Sequence, residues 1–503
     1  MSGAQVDHSL DRSEDRSSDR PPRGSVGGVL SGFMGLGLLG SVMVLLGGLV
    51  VATLPASSGL LQHQLLVGLR ASAAYRAAGL GVVLIGLGLL AHAWLALCRQ
   101  ACSAESLPLV HRAAALWSAP LLVAPPLFSR DGWSYAAQGV MAALGYSPYQ
   151  HGPAVLSGPI LQAVDPIWRH TATPYGPLPL WWGDLLAHGT ENPALLVVGH
   201  RILALCGLVL LAWAMPRLAA WTGVAPARAT ALVIASPLVL ANGVAGLHND
   251  LLMAGLMAAA LALAAESWLG AACVCGLAAA VKLPGGLVAA GIVLVSLPMG
   301  ATLAERGRRL ASVAAISLAT LFGIGAVSGL GSGWIHALGV PGTVMTALSA
   351  TSVVGEGLDR VATVMQWNVD TDFFLHSMRA LGSAATVVVT AYVAMRGRTG
   401  SRPLALRQVG LVVGLAAVLA PSVHLWYFLW PLPFVAALPM RPRRARVLVA
   451  ALIVGGLIAP LDGSWHGMYL VFVGGIGLIV LILAALALTR PRPGQREAMF
   501  ETG

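Results

Sequence analysis

Apolar stretches long enough to cross a bilayer recur along this chain from residue 28 to residue 489, with no polar interval the size of a soluble domain between them. A hydrocarbon core of roughly 30 Å takes about 20 apolar residues of helix, and only structures that satisfy their own backbone survive inside it. The chain is therefore expected to be an all-α, polytopic integral membrane protein. Composition agrees, since 57% of the 503 residues are hydrophobic and 10% are charged. The 60 glycines and 30 prolines would suggest disorder in a soluble chain. Neighbouring transmembrane helices satisfy the backbone groups that such residues free, so here both types are tolerated.

Hydropathy predicts about 13–14 spans, near 28–54, 78–98, 113–128, 194–215, 226–246, 250–266, 269–282, 283–298, 310–330, 375–396, 405–421, 424–438, 446–461 and 468–489. Several are too short to cross unaided. Residues 1–24 read as a disordered polar tail of mixed charge, and the run that follows is too long for a signal-peptide core, so it is a retained helix. One polytopic domain, 25–489, then leads into a second tail, 490–503.

With the N-terminus in the cytoplasm, Arg306, Arg308, Arg309, Arg396, Arg398, Arg402, Arg407, Arg441, Arg443, Arg444, Arg446, Arg490, Arg492 and Arg496 fall on the same side, as the positive-inside rule asks. The net charge of +10 is thus an orientation signal rather than a nucleic-acid surface. Three longer segments, 55–77, 129–193 and 331–374, are then outside. Cys98, Cys102, Cys206, Cys273 and Cys275 lie in or beside apolar segments without metal-ligand spacing, so neither a disulfide framework nor a zinc site is expected. No recurring motif relates the two halves at the level of sequence.

Chemistry concentrates in the predicted outer segments. In "SRDGWSYAAQG", Asp131 follows an apolar run directly, and the apolar positions Trp133, Ala136, Ala137, Val140, Met141 and Leu144 then recur with helical spacing up to Gly145. This predicts an amphipathic helix in the outer interface. Asp131 is either its N-cap or a carboxylate presented to a substrate, and capping by Ser129 is compatible with the second reading. Tyr135, Tyr175 and Trp182 belong to a loop alternating Pro and Gly with aromatic residues, which suits a sugar platform as well as an interfacial belt. Residues 178–188 are too short to span and suggest a re-entrant piece.

"GLHND" presents His248, Asn249 and Asp250 at an outer turn between two apolar runs, at the membrane rim, either as a helix cap or as acceptor-binding groups with a second carboxylate. Asp462 and His466 form a comparable group in "LDGSWHGMY". Lys282 is the only lysine in the chain, and an intramembrane cation needs a partner, for which a lipid phosphate is the natural choice. Arg201 and Arg379 are further candidates for that phosphate. "HLWYFLWPLP" reads as an aromatic belt.

Taken in order, Arg-Asp with aromatic-Ser-Tyr and Ala-Gln-Gly (130–139), Gly-x-x-Pro-Tyr with Gly-Pro (145–153), and Asp-Pro-x-Trp with Pro-Tyr-Gly-Pro (165–177) resemble the actinobacterial alpha-1,6-mannosyltransferases that use polyprenyl-phosphate mannose. The later "HND", "VK", "WYFLWP" and "DGSWHGMY" stretches fit in the same order, so the resemblance covers most of residues 118–469. Gly132-Trp133 departs from the bulkier residue plus Tyr expected there. The resemblance implies a C-type glycosyltransferase fold in the plasma membrane, an active site on the outer face, and a catalytic acidic residue that maps onto Asp131.

It further implies inverting transfer of mannose from polyprenyl-phosphate mannose to the 6-hydroxyl of an alpha-1,6-mannan, as in lipomannan and lipoarabinomannan backbones. Asp131 would then be the base, with Lys282 and Arg201 or Arg379 on the phosphate; no cofactor, metal or nucleic acid is called for. The alternatives are a lipid-phosphate transferase for another sugar, a transporter or flippase of a lipid-linked sugar, and a structural partner of such enzymes.

Overall fold

A computed structural model describes residues 26–461 together with Gly475 and Gly477; Asp462 and His466 lie outside the described residues. The helices are α1 (Val26–Val51), α2 (Gln64–Ala71), α3 (Ala73–Gln100), α4 (Leu107–Leu122), α5 (Asp131–Ala143), α6 (Gly158–Ala163), α7 (Pro177–Gly189), α8 (Pro193–Ala220), α9 (Pro226–Ile234) and α10 (Asp250–Leu263). They continue with α11 (Trp268–Val281), α12 (Ala289–Ser296), α13 (Leu303–Val327), α14 (Ala350–Val364), α15 (Phe373–Arg396), α16 (Arg402–Leu419), α17 (Leu432–Ala436) and α18 (Pro442–Leu457). Among the described residues there is no strand.

Six helices are long and apolar enough to cross a membrane singly, in α1, α3, α8, α13, α15 and α16; a bent pair, α9 with residues 239–245, makes up to seven. The chain is a multi-pass membrane protein. Other expected crossings are made of shorter apolar pieces, Asp250–Leu263, Trp268–Val281, Leu283–Ser296 and Leu425–Ala436, and the one expected at 468–489 falls almost wholly outside the described residues. Proline accounts for one interruption: the run expected at 226–246 bends by 55° where Ser236 and Pro237 separate α9 from a turn of π-helix at Val239–Ala245.

Small residues set how closely these helices pack. A Cβ on Gly40 of α1 would come within about 2.6 Å of the Gly86 carbonyl of α3, and one on Gly47 within 2.5 Å of Gly79, so the two backbones touch along an antiparallel seam. At the centre lies α10, apolar all round and buried from Asp250 through Ala262. Its start packs against the middle of α8, where a Cβ on Gly207 would sit 2.7 Å from the Leu251 backbone. Gly207 lies 14 residues into α8, roughly 21 Å from its N-terminal end at 1.5 Å per residue. The "HND" turn is therefore recessed along α8 instead of lying at the rim, as the sequence reading expected.

The helix at Asp131–Ala143 forms where its periodicity predicts it, but it is enclosed within the protein. Every residue from Gly132 to Gly139 is buried, because Gly132, Ala136, Ala137 and Gly139 let other segments come close. A Cβ on Gly139 would fall 2.5 Å from the backbone of Gly183 in α7. Its polar residues are used inward: Gln138 Oε1 accepts from Thr173 Oγ1 at 3.1 Å.

Candidate active site

Two carboxylates open two helices. Asp131 is the first residue of α5 and Asp250 the first of α10, where unpaired backbone N–H groups and the helix dipole favour negative charge. Neither is an N-cap. The Ser129 hydroxyl accepts the Asp131 N–H at 2.9 Å, and Asn249 makes no side-chain cap to α10. The side chains of Asp131 and Asp250 are thereby left to do something else.

Both helices are entered through strained turns, for Phe128 and Leu247 have φ of +69° and +59°. Bulky residues seldom adopt this left-handed region, and each such residue costs about 1–3 kcal/mol. What compensates is Arg201. Buried in α8, it donates to Ala124 O (2.7 Å) and Pro125 O (3.2 Å) of one turn and to Val244 O and Ala245 O (3.4 Å) of the other. The turns are further joined by Leu127 N–H to Ala245 O at 3.0 Å. Arg201 was a candidate phosphate ligand; its guanidinium is instead committed to backbone carbonyls, and it holds the two carboxylate-bearing turns together. Arg201→Met should lower the unfolding midpoint sharply, because buried carbonyls left unpaired cost roughly 1–3 kcal/mol each. Unchanged thermal stability in detergent would contradict this role.

The turns bring His248 to Asp131, Nδ1 to Oδ2 at 3.4 Å. The Asp131 side chain keeps 15% of its surface exposed whereas His248 keeps 1%, so the carboxylate has the open edge. Burial alone would raise the Asp131 carboxyl, but the imidazoles of His248 and His424 and the Ser129 hydroxyl outweigh it and hold the group below the ordinary carboxylate value. Tyr135 OH lies 3.5 Å from Asp131 Oδ2 and 2.8 Å from Tyr175 OH. Burial and the negative charges of Asp131 and Asp250 push both phenols well above their usual value, so they serve as hydrogen-bonding groups and stay protonated.

Tyr175 reaches this position because Thr173 is tied to α5 and Gly176 N–H donates to Val281 O at 2.9 Å. Only glycine fits at 176, where a Cβ would stand 2.3 Å from Ala280 O. The next residue of that strand of contacts is Lys282. Its Nζ is 3.1 Å from Asp250 Oδ1, which also accepts from Trp430 Nε1 at 2.7 Å. The ammonium is caged by rings, with centroids at 4.1 Å (Tyr427), 5.2 Å (Trp430) and 5.5 Å (Tyr175). Asp250 Oδ2 and Asn249 Nδ2 are buried without a hydrogen-bond partner among the described residues.

Asp131, Tyr135, Tyr175, His248, Asp250 and Lys282 thus form one continuous cluster, with Asn249 between two of its members. Trp182 and Arg379 are employed elsewhere. Trp182 Nε1 donates to Gly199 O at 3.0 Å and fastens α7 to α8. Arg379 donates to Ser352 Oγ (2.9 Å), Gly342 O (2.6 Å) and Val344 O (3.0 Å), which pins the segment before α14 to α15. Sequence reasoning undervalued "HLWYFLWPLP". Trp426, Tyr427 and Trp430 are buried against the cluster rather than forming a belt facing lipid, and the signal was His424 beside four aromatic residues in one short segment. Among the described residues no three His, Cys, Asp or Glu side chains are grouped to hold a metal ion.

Two family descriptions match the chain: alpha-(1->6)-mannopyranosyltransferase, N-terminal domain, over residues 34–298, and MptB C-terminal domain over residues 350–490. The first contains Asp131, His248, Asp250 and Lys282; the second contains His424–Trp430. A probable alpha-(1->6)-mannopyranosyltransferase of Mycolicibacterium smegmatis is 33% identical over 423 residues, covering 76% of this chain and 75% of that protein. Alpha-(1->6)-mannopyranosyltransferase A of Mycobacterium tuberculosis is 31% identical over 456 residues, 86% of this chain and 85% of that one. The protein of the same name from Corynebacterium glutamicum is 39% identical over a shorter stretch of 193 residues, 36% of this chain and 39% of its own length. No solved structure matches. With two strained turns delivering paired carboxylates to a buried, ring-lined cluster inside a polytopic helical chain, and with these similarities along most of its length, the protein belongs to the alpha-(1->6)-mannopyranosyltransferase family.

Proposed function

We propose that this protein transfers mannose from polyprenyl-phosphate mannose to the 6-hydroxyl of an alpha-1,6-mannan on the outer face of the plasma membrane, extending a lipoglycan backbone. The observation that carries the reading is the pairing of Asp131, ionised and open on one edge, with a ring-caged cation in the same cluster. Asp131 accepts the proton of the attacking 6-hydroxyl as O6 bonds to the anomeric carbon. The bond from that carbon to phosphate oxygen breaks with inversion, through an oxocarbenium-like transition state, and the electron pair leaves on the lipid phosphate.

Lys282 faces the charge that grows on that leaving group, and the rings of Tyr427, Trp430 and Tyr175 keep it oriented in a water-poor pocket. In the resting protein Asp250 neutralises the lysine. The buried atoms without partners, Asp250 Oδ2 and Asn249 Nδ2, are suited to an acceptor hydroxyl or a donor oxygen. A metal ion is not needed for departure of a phosphate monoester.

A second reading, a flippase for a lipid-linked sugar, draws on the recessed position of the cluster beside mid-α8 and on the broken helix at 226–245. Purified protein in sealed proteoliposomes, given a short alpha-1,6-mannoside, separates these readings and the choice of donor. Label should pass to the acceptor from polyprenyl-phosphate mannose, and neither from the same lipid carrying glucose or arabinose nor from a nucleotide-linked mannose. Transfer from the nucleotide sugar, or transbilayer movement without any transfer, would overturn the proposal.

A further inference from the structure

Three rings from two distant segments lie in one stack beside Asp131. Trp426 is sandwiched, with His248 on one side at a centroid distance of 3.5 Å and 14° and His424 on the other at 4.4 Å and 8°. Trp426 is 6% exposed and His248 2%, so the stack is enclosed and the His248 plane has little freedom. The edge of that plane is what meets Asp131, through Nδ1.

We propose that Trp426 is a positioning residue: stacked face to face on His248, it holds the imidazole against Asp131 and so sets the pH at which the proposed base loses its negative charge. The inference rests on the reading of Asp131 as base. It assigns the aromatic segment after α16 a task distinct from that of Tyr427 and Trp430, which stack on each other at 4.3 Å over Lys282.

The groups facing Asp131 make the direction of the effect plain. From its own helix come Tyr135 and, through it, Tyr175; from the turn before α10 come His248 and the negative Asp250; from the segment after α16 comes His424. Lys282 is neutralised locally by Asp250. The two histidines and the Ser129 hydroxyl are thus the groups that favour the carboxylate, against burial. Freeing His248 from its stack removes that support.

The test is a titration of the Asp131 carboxylate by infrared difference spectroscopy on the full chain in detergent, with its band identified by loss in Asp131→Asn. In Trp426→Leu the midpoint should rise by about one pH unit or more, while Trp426→Phe, which keeps a stacking face, should stay near wild type. His248→Gln should raise it similarly, and adding Trp426→Leu to His248→Gln should move it no further. An unmoved midpoint in folded Trp426→Leu, or a full further rise in the double variant, would overturn the proposal. Should Trp426→Leu not fold, His248→Gln alone and paired with Trp426→Phe decides: a midpoint unchanged by His248→Gln refutes the coupling. The titration needs no turnover, so its result stands apart from whether the chain transfers mannose. In the transfer assay, the acidic limb of kcat should shift with the infrared midpoint and acceptor KM should not; a loss of kcat without a shifted limb would mark a purely structural role.

Discussion

Asp131→Asn is expected to lower kcat for mannosyl transfer by about 10²–10⁴-fold, the usual worth of a positioned general base, while leaving the fold intact. The amide is the same size, and the backbone bond that fixes the turn, Asp131 N–H to Ser129 Oγ, does not involve the side chain. Wild-type activity should hold as pH falls through the ordinary carboxylate range and decline only below it. The sign follows from the lowered Asp131 carboxyl: the active, ionised form is present above its pKa and is lost as pH drops through it. Comparing kcat and donor KM for the two proteins, together with their melting in detergent, checks this. Equal kcat would remove Asp131 from the chemistry.

A larger effect on stability is expected at the second carboxylate. Asp250 is fully buried and Lys282 nearly so, and removing one member of a buried ion pair leaves an uncompensated charge that costs about 3–5 kcal/mol. Lys282→Met and Asp250→Leu should each be strongly destabilised, whereas the double variant should regain much of the loss because both charges have gone. The double variant should nevertheless be inactive, since the cation proposed to face the leaving phosphate is absent. Thermal unfolding of the three proteins with parallel transfer assays provides the measurement. A stable, active Lys282→Met protein would contradict both the structural pairing and the proposed phosphate contact.

How far the site was legible depends on where its contacts run. Asp131 and Asp250 announce themselves because a carboxylate directly after or before an apolar run sits at a helix start, and both do. His248 is legible for the same reason. The pairings are not, because they span the chain: Asp250 meets Lys282 32 residues away and Trp430 180 residues away. Within "HLWYFLWPLP" only His424 among the aromatic residues sets a buried clamp apart from a lipid-facing belt.

Arg201 and Arg379 expose a different limit. An arginine inside an apolar helix reads as an anion ligand, yet both spend their donors mainly on backbone carbonyls. The carbonyls that Arg201 binds lie in turns bent at Phe128 and Leu247, which no motif advertises. The apolar spacing of 131–144 likewise predicted a helix without its depth. Glycine and alanine on the other faces made α5 a buried strut.

The most direct test of the central claim is the product itself. Purified protein would be incubated with polyprenyl-phosphate mannose carrying 13C-labelled sugar and a short alpha-1,6-mannoside, and the product's new linkage read by NMR. Labelled mannose should be joined in the alpha configuration to O6 of the terminal acceptor residue. A beta linkage, attachment at another hydroxyl, or no labelled product from folded protein would contradict that claim.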